Sequence, residues 1–166
     1  NAKFGYIQTD LNGNITQRTK NINLNVSNTI TNDNSQVISQ HITIGSNTNK
    51  TQKLINKNST STTSGIFSDI FNLQNLQFVN NSTGYFYSKG DLNIKNLTNS
   101  SGILIGDRSL TVNNDSVNLD NTQGYIQSSS ALNITAINSD IFNTLGIISS
   151  NKSATLTSSN NTLNNN

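Results

Sequence analysis

Gly124-Tyr125-Ile126-Gln127-Ser128-Ser129-Ser130-Ala131-Leu132-Asn133-Ile134 is the stretch that decides the fold. Bulky apolar residues stand two, eight and ten places after the glycine, with polar residues beside them. Apolar side chains at alternate positions argue for short strands with one buried face. The template recurs around this stretch. Gly84 is followed by Phe86, Leu92 and Ile94, and Gly102 by Leu104, Leu110 and Val112. Gly146 is followed by Ile148, the smaller Ala154 and Leu156. The four glycines lie 18, 22 and 22 residues apart. A repeat near twenty residues marks a solenoid, so the chain is read as an all-β parallel β-helix with coils of about 20 residues. The three apolar positions are expected inside. Their neighbours Asn93, Thr111, Asn133 and Thr155 are expected in water, because side chains alternate across a strand.

A third apolar cluster precedes each next glycine: Leu97, then Val117 and Leu119, then Ile137, Ile141 and Phe142. Its spacing varies, which places insertions at that corner and suggests a three-sided coil. Residues 1–166 read as one β-helix segment, with 65–166 regular and 1–64 irregular. Gly65 opens a weaker copy with Phe67 and Leu73 inward and a shift near Leu76. Gly5-Tyr6-Ile7 echoes Gly124-Tyr125-Ile126, while Ile22, Leu24 and Val26 alternate, as do Ile42 and Ile44. Residues 45–64 are mostly polar and read as a loop. The expectation is about eight coils and a rod of about 35–40 Å at ~4.8 Å per coil.

Composition narrows the function classes. Only 31% of residues are hydrophobic and 11% charged, with net charge +2 and no Pro. Low hydrophobicity with high net charge marks disorder; here the charge is low and the apolar residues fall in register. Asn makes up about a fifth of the chain. It tolerates left-handed corners, and identical Asn side chains stacked one strand apart form amide ladders. No Cys is present, which removes disulfides, thiolate metal sites and a cysteine nucleophile. No stretch approaches the ~20 apolar residues of a membrane span, and stable membrane insertion is not expected. Lys and Arg are scattered, with no footprint for nucleic acid. The chain neither begins with Met nor contains one, and is read as a piece of a longer protein.

The run Leu119-Asp120-Asn121-Thr122-Gln123-Gly124-Tyr125-Ile126-Gln127-Ser128 through Leu132-Asn133-Ile134-Thr135-Ala136 resembles a filamentous haemagglutinin repeat, L-x-N-x-x-G-x-I-x-S-x-x-x-L-x-[IV]-x-A. Phe142 through Gly146-Ile147-Ile148-Ser149-Ser150 to Leu156-Thr157 is similar. The match covers 84–166, weakens over 65–83 and is poor before that. The resemblance implies a right-handed parallel β-helix in a large exoprotein of Gram-negative bacteria, exported by two-partner secretion through an outer-membrane barrel. Such proteins are adhesins or contact-dependent growth inhibition toxin-delivery proteins. The Asn-Pro-Asn-Gly type secretion signature and a toxin domain are both missing from this sequence. The role implied is a shaft segment at the bacterial cell surface. The alternative is a module that binds a receptor or glycan.

No enzyme chemistry and no cofactor is expected. His41, the single histidine, sits at an outward strand position in Gln40-His41-Ile42. A Ser-His-Asp site would have to use it. All eight acidic residues are Asp. Asp91 and Asp107 fall at different positions of their units, so they are not expected to form the paired acid and base of a glycan-cleaving enzyme. Asp120 and Asp140 read as corner residues. The Gly-Gly-x-Gly-x-Asp tandem of calcium-binding solenoids is absent. Tyr6, Tyr85 and Tyr125 follow template glycines, and Tyr87 adds a fourth aromatic. These four are the candidate partner-binding residues, since outward aromatic faces bind sugars and proteins. The competing reading packs the same position against the next coil.

Overall fold

A computed structural model describes residues 3–5, 7–9, 15–48, 50–59, 63–159 and 162–166. Every element among them is a strand. Coils of about 22 residues stack into a β-solenoid of about six turns. The first face carries Gln36–Ile44, Gly65–Asn72, Tyr85–Ser88, Ile103–Gly106, Tyr125–Ser128 and Ile147–Ser150, paired in that order. The third carries Thr29–Asp33, Thr51–Lys57, Leu76–Asn80, Leu97–Thr98, Leu119–Asp120, Ile141–Phe142 and Leu163–Asn164. The second face carries Leu92–Lys95, Leu110–Asp115, Ala131–Ile137 and Ser153–Ser159 as a separate four-stranded sheet. All of these pairings are parallel.

Register places like residues over like. Phe86, Leu104 and Ile126 align, as do Leu92, Leu110 and Leu132, and Ile94, Val112 and Ile134. None of these nine is more than 1% exposed. A third column runs through Leu54, Val79, Leu97, Leu119 and Ile141, all buried. Full burial of each such side chain stabilises by about 1.5–3 kcal/mol, and a single coil has nothing to bury it against. In the last coil Leu156 and Leu163 lie more than a third exposed.

Several expectations are corrected. The turns number about six, not eight, so the stack spans about 30 Å at ~4.8 Å per coil. The first residues break the template without leaving the stack: Lys3–Phe4, Asn21–Leu24 and Thr29–Asp33 make one interrupted rung against Gln36–Ile44 and Thr51–Lys57. Lys3–Phe4 and Asn21–Leu24 pair with opposite halves of the one strand Gln36–Ile44, and Ile7–Thr9 pairs antiparallel with Ile15–Arg18. The Tyr6 of the Gly5-Tyr6-Ile7 echo lies outside the described residues. Gly65 takes the row of Tyr85 and not that of Gly84, because Phe86 aligns with Ile66. Ile66 is buried and Phe67 turns outward. Within 45–64, Thr51–Lys57 is a strand whose Thr51, Leu54 and Asn56 are buried. Of the third cluster, Ile137 is outside.

One corner is made by asparagine. Asn32, Asn56, Asn81, Asn99, Asn121, Asn143 and Asn165 form a ladder. Each Nδ2 donates to the Oδ1 of the next, over distances of 2.6–2.8 Å. All but the last are buried. The same amides also donate to backbone carbonyls, as Asn81 does to Ile103 O at 2.9 Å and Asn99 to Gly102 O at 3.1 Å. Three residues on, the template glycine N–H returns to the Asn carbonyl and closes a turn, at 2.9 Å for Gly102 and Asn99. The glycine is needed for room. A Cβ at Gly102 would sit 2.7 Å from Asn99 Oδ1 and closer still to the backbone oxygen of Asn81. The second residue after each of the first six ladder Asn is left-handed: Asn34, Asn58, Thr83, Ser101, Gln123 and Leu145. Four of these six are not Asn. The ladder and turn impose a conformation costing about 1–2 kcal/mol on residues that do not prefer it.

The opposite corner uses serine. Ser68 Oγ donates to Gln40 O and Ile70 O, and Ser128 Oγ to Arg108 O and Ala131 O, at 2.6–2.9 Å. At the third corner the 18-residue spacing meets a 22-residue neighbour. The buried Asn114 amide bridges the mismatch like an extra peptide group: it accepts from Leu97 N at 2.9 Å and donates to Leu97 O at 3.0 Å.

Replacing Asn99 by Ala breaks the ladder in its middle and leaves Asn121 Oδ1 without its donor. Urea unfolding is expected to show a loss of about 2–3 kcal/mol. Asn113→Ala, at an exposed position, should change stability by less than about 0.5 kcal/mol.

Candidate functional site

Outward residues of the first face form two adjacent rows. One runs Gly65, Tyr85, Ile103, Tyr125, Ile147 and the other Phe67, Tyr87, Ile105, Gln127, Ser149. Both arise from period-two alternation against the buried rows of Phe86 and Ser88. Together they make an apolar, aromatic strip along the rod. Phe67 stacks on Tyr85 with ring centres 5.3 Å apart, and lies 6.4 Å from the Tyr87 ring. Ile103 and Ile105 continue the strip beneath. Tyr85, Tyr87 and Tyr125 are half-buried: the rings pack on neighbouring coils and still show a face to solvent.

Polar groups fix the ring tips. The Tyr87 hydroxyl donates to the Asp107 carboxylate, and Tyr125 Oη donates to Gln127 Oε1 at 2.9 Å. Burial pushes the Tyr87 phenol up to about 12, helped by the hydrogen bond and negative charge of Asp107. Burial also raises the Tyr85 phenol, with Asp107 adding to it. Arg18 pairs with Asp69 at the N-terminal end of the strip, beside Phe67, Tyr87 and Lys89.

Tyr6 lies outside the described residues. Tyr85, Tyr87 and Tyr125 share the strip. Phe67, expected inside, belongs to it; its outward place follows from the one-residue shift at Gly65. Ile105 is the other contributor, and its signal is the alternation Ile103-Leu104-Ile105 around an inward leucine.

The other candidates stay apart. His41 is exposed, with Nδ1 3.1 Å from Asn21 Oδ1. Asp91 accepts from Ser109 N at 3.1 Å and Ser109 Oγ at 2.7 Å, which hold its carboxyl below the usual range. Asp107 serves Tyr87, so the two carboxylates do not share a site. Asp120 accepts from Thr122 N at 2.9 Å, a corner role. Among the described residues no group of three His, Cys, Asp or Glu is placed to hold a metal ion, and no helix is long and apolar enough to cross a membrane. What the strip offers is flat aromatic and branched aliphatic surface, suited to stacking on a sugar ring or an apolar side chain. No family model, curated protein or solved structure matches this chain.

An ultraviolet titration of the tyrosines should leave one phenol protonated until about pH 12, and Tyr87→Phe should remove that last phase. The folded value lies above the ordinary value of 10.0. The contribution of Tyr87 to stability is therefore constant below pH 10 and falls between about 10 and 12, where this phenol ionises in the unfolded chain and not in the folded one. Tyr87→Phe should flatten this window in denaturant titrations.

Proposed function

We propose that this chain is a length of spacing shaft in a large secreted bacterial surface exoprotein, holding an adhesive tip or a toxin away from the producing cell. The observation that carries the reading is the in-register stack. The same apolar rows and the same buried asparagine recur coil after coil, and the corner serine recurs in all but the coil that has Gly106 there. Such a stack lengthens by addition, each coil burying its neighbour. The three strands of the last coil, Ile147–Ser150, Ser153–Ser159 and Leu163–Asn164, end their sheets, and Leu156 and Leu163 present apolar surface along the axis. The filamentous haemagglutinin-like pattern over 84–166 supports export through an outer-membrane secretion barrel. The role is mechanical and involves no reaction.

Excising residues 102–123 joins Ser101 to Gly124 and keeps the Asn-x-x-Gly turn. The shortened chain should fold, and X-ray scattering should show a rod about 5 Å shorter. Behind a two-partner secretion signal in a Gram-negative host, both lengths should become accessible to external protease. A shortened chain that unfolds, or retention of both chains inside the cell, counts against a shaft.

The second reading is a binding module, favoured by the Phe67–Tyr85–Tyr87 cluster. On a glycan or receptor array it requires that Tyr85→Ala and Tyr125→Ala each lower binding at least about tenfold, as for a stacked anchor, with the far-ultraviolet circular dichroism unchanged. Equal signal from wild type and both variants would remove this reading.

A further inference from the structure

The second face is broken. Its upper part is made by Asn21–Leu24 and by the ends of the two long strands, where His41, Ile42 and Thr43 pair with Ile70, Phe71 and Asn72. Its lower part is the four-stranded sheet, and Leu92–Lys95 forms that sheet's edge. The chain turns away after Asn72, where Leu76 N donates to Leu73 O at 3.0 Å. Between the halves lies an open cleft of about 580 Å³, lined by Phe71, Leu73, Gln74, Asn93, Ile94 and Lys95 among others.

The edge has a defined chemistry. Leu92 N donates to Ser109 O at 2.9 Å and Asn96 N to Asn113 O at 3.0 Å. Backbone groups alternate in direction along a strand, so the N–H and C=O of Asn93 and Lys95 point the other way, into the cleft. Such a row is matched by another extended backbone, and sheet edges recruit peptides in this manner. The cleft floor is apolar, with Phe71 packed at 4.7 Å on Phe86 and with Leu73 and Ile94 buried. Its rim is amide-rich. Among the described residues that line it, Lys95 is the one charge, and it is exposed and makes no ion pair.

We propose that this cleft binds an extended segment of another polypeptide as an added strand on Leu92–Lys95, with an apolar side chain directed to Phe71 and Ile94 and a carboxylate near Lys95. Backbone pairing gives the affinity. The lone cation selects an acidic segment, since no carboxylate in the cleft competes for it. A glycan would use the amide rim but leave the row of backbone groups unmatched.

The test uses the full chain and the peptide acetyl-Thr-Val-Thr-Val-Glu-amide. On saturation, exchange of the Asn93 and Lys95 amide protons should slow by about tenfold or more. Two analogues, each N-methylated on one of the two alternating sets of peptide amides, leave the protein untouched. One of them should bind at least about tenfold more weakly, through loss of the pairing hydrogen bonds. Replacing the peptide's Glu by Gln should weaken binding to the wild type by several-fold and have no effect on Lys95→Gln. Unchanged exchange at Asn93 and Lys95 overturns the proposal, as does equal binding of both analogues and the parent. Protection that grows with protein concentration without peptide would assign the edge to a second copy, and protection by chitohexaose in place of the peptide would assign it to a glycan. Either outcome also overturns the proposal.

Discussion

A single file of buried asparagine amides holds the coils in step. Hydrophobic stacking alone is non-directional, and neighbouring apolar rows of Ile, Leu and Val would tolerate a coil slipping along its partner. An amide ladder does not. Each Oδ1 has one donor above it, and a buried amide without its partner costs about 1–3 kcal/mol. The ladder thus sets the register at one corner, and the three apolar columns follow from it. It also explains the glycine of the repeat, which stands where the amide and the preceding coil's carbonyl leave no space for a side chain. The left-handed residues between them are carried along.

The Asn-x-x-Gly-x-Ile-x-Ser pattern then reads as a corner-to-corner code. Asn makes one corner, Gly gives it clearance, Ile fills the core and Ser closes the next corner by tying backbone carbonyls. Everything facing outward is free of these duties. This division is why the first face can display Tyr85, Ile103 and Tyr125 in one row without loss of the rod. It is also why a broken second face is tolerated beside an intact column on the third.

Much of this was legible. The apolar residues two, eight and ten places after Gly84, Gly102 and Gly124 stand inside, where alternation puts them, while the third cluster, with its variable spacing, hid the outward place of Ile137. The paired Ile22 and Leu24, and Ile42 and Ile44, were legible as strands too, but not their partners, because pairing two short strands onto one long strand leaves no periodic trace. The ladder was hidden by abundance. With Asn so common, only Asn81, Asn99, Asn121 and Asn143 are marked by a glycine three places later, and Asn32 and Asn56 carry no such mark. Thr51–Lys57 was concealed by polarity, since Thr51 and Asn56 are buried through hydrogen bonds rather than apolar surface. The aromatic strip was half visible: the tyrosines stood out, while Phe67 was displaced by a glycine one residue out of phase.

The amide file also has a sense of travel. Every side chain from Asn32 to Asn143 gives its proton to the coil that follows it in the chain and takes none back from that side. The column is therefore vectorial: an arriving segment at the far end must offer an oxygen, and at the near end a hydrogen. Two rods of this construction are complementary head to tail and mismatched tail to tail, so any lengthening of the rod inherits a single orientation from its first rung to its last.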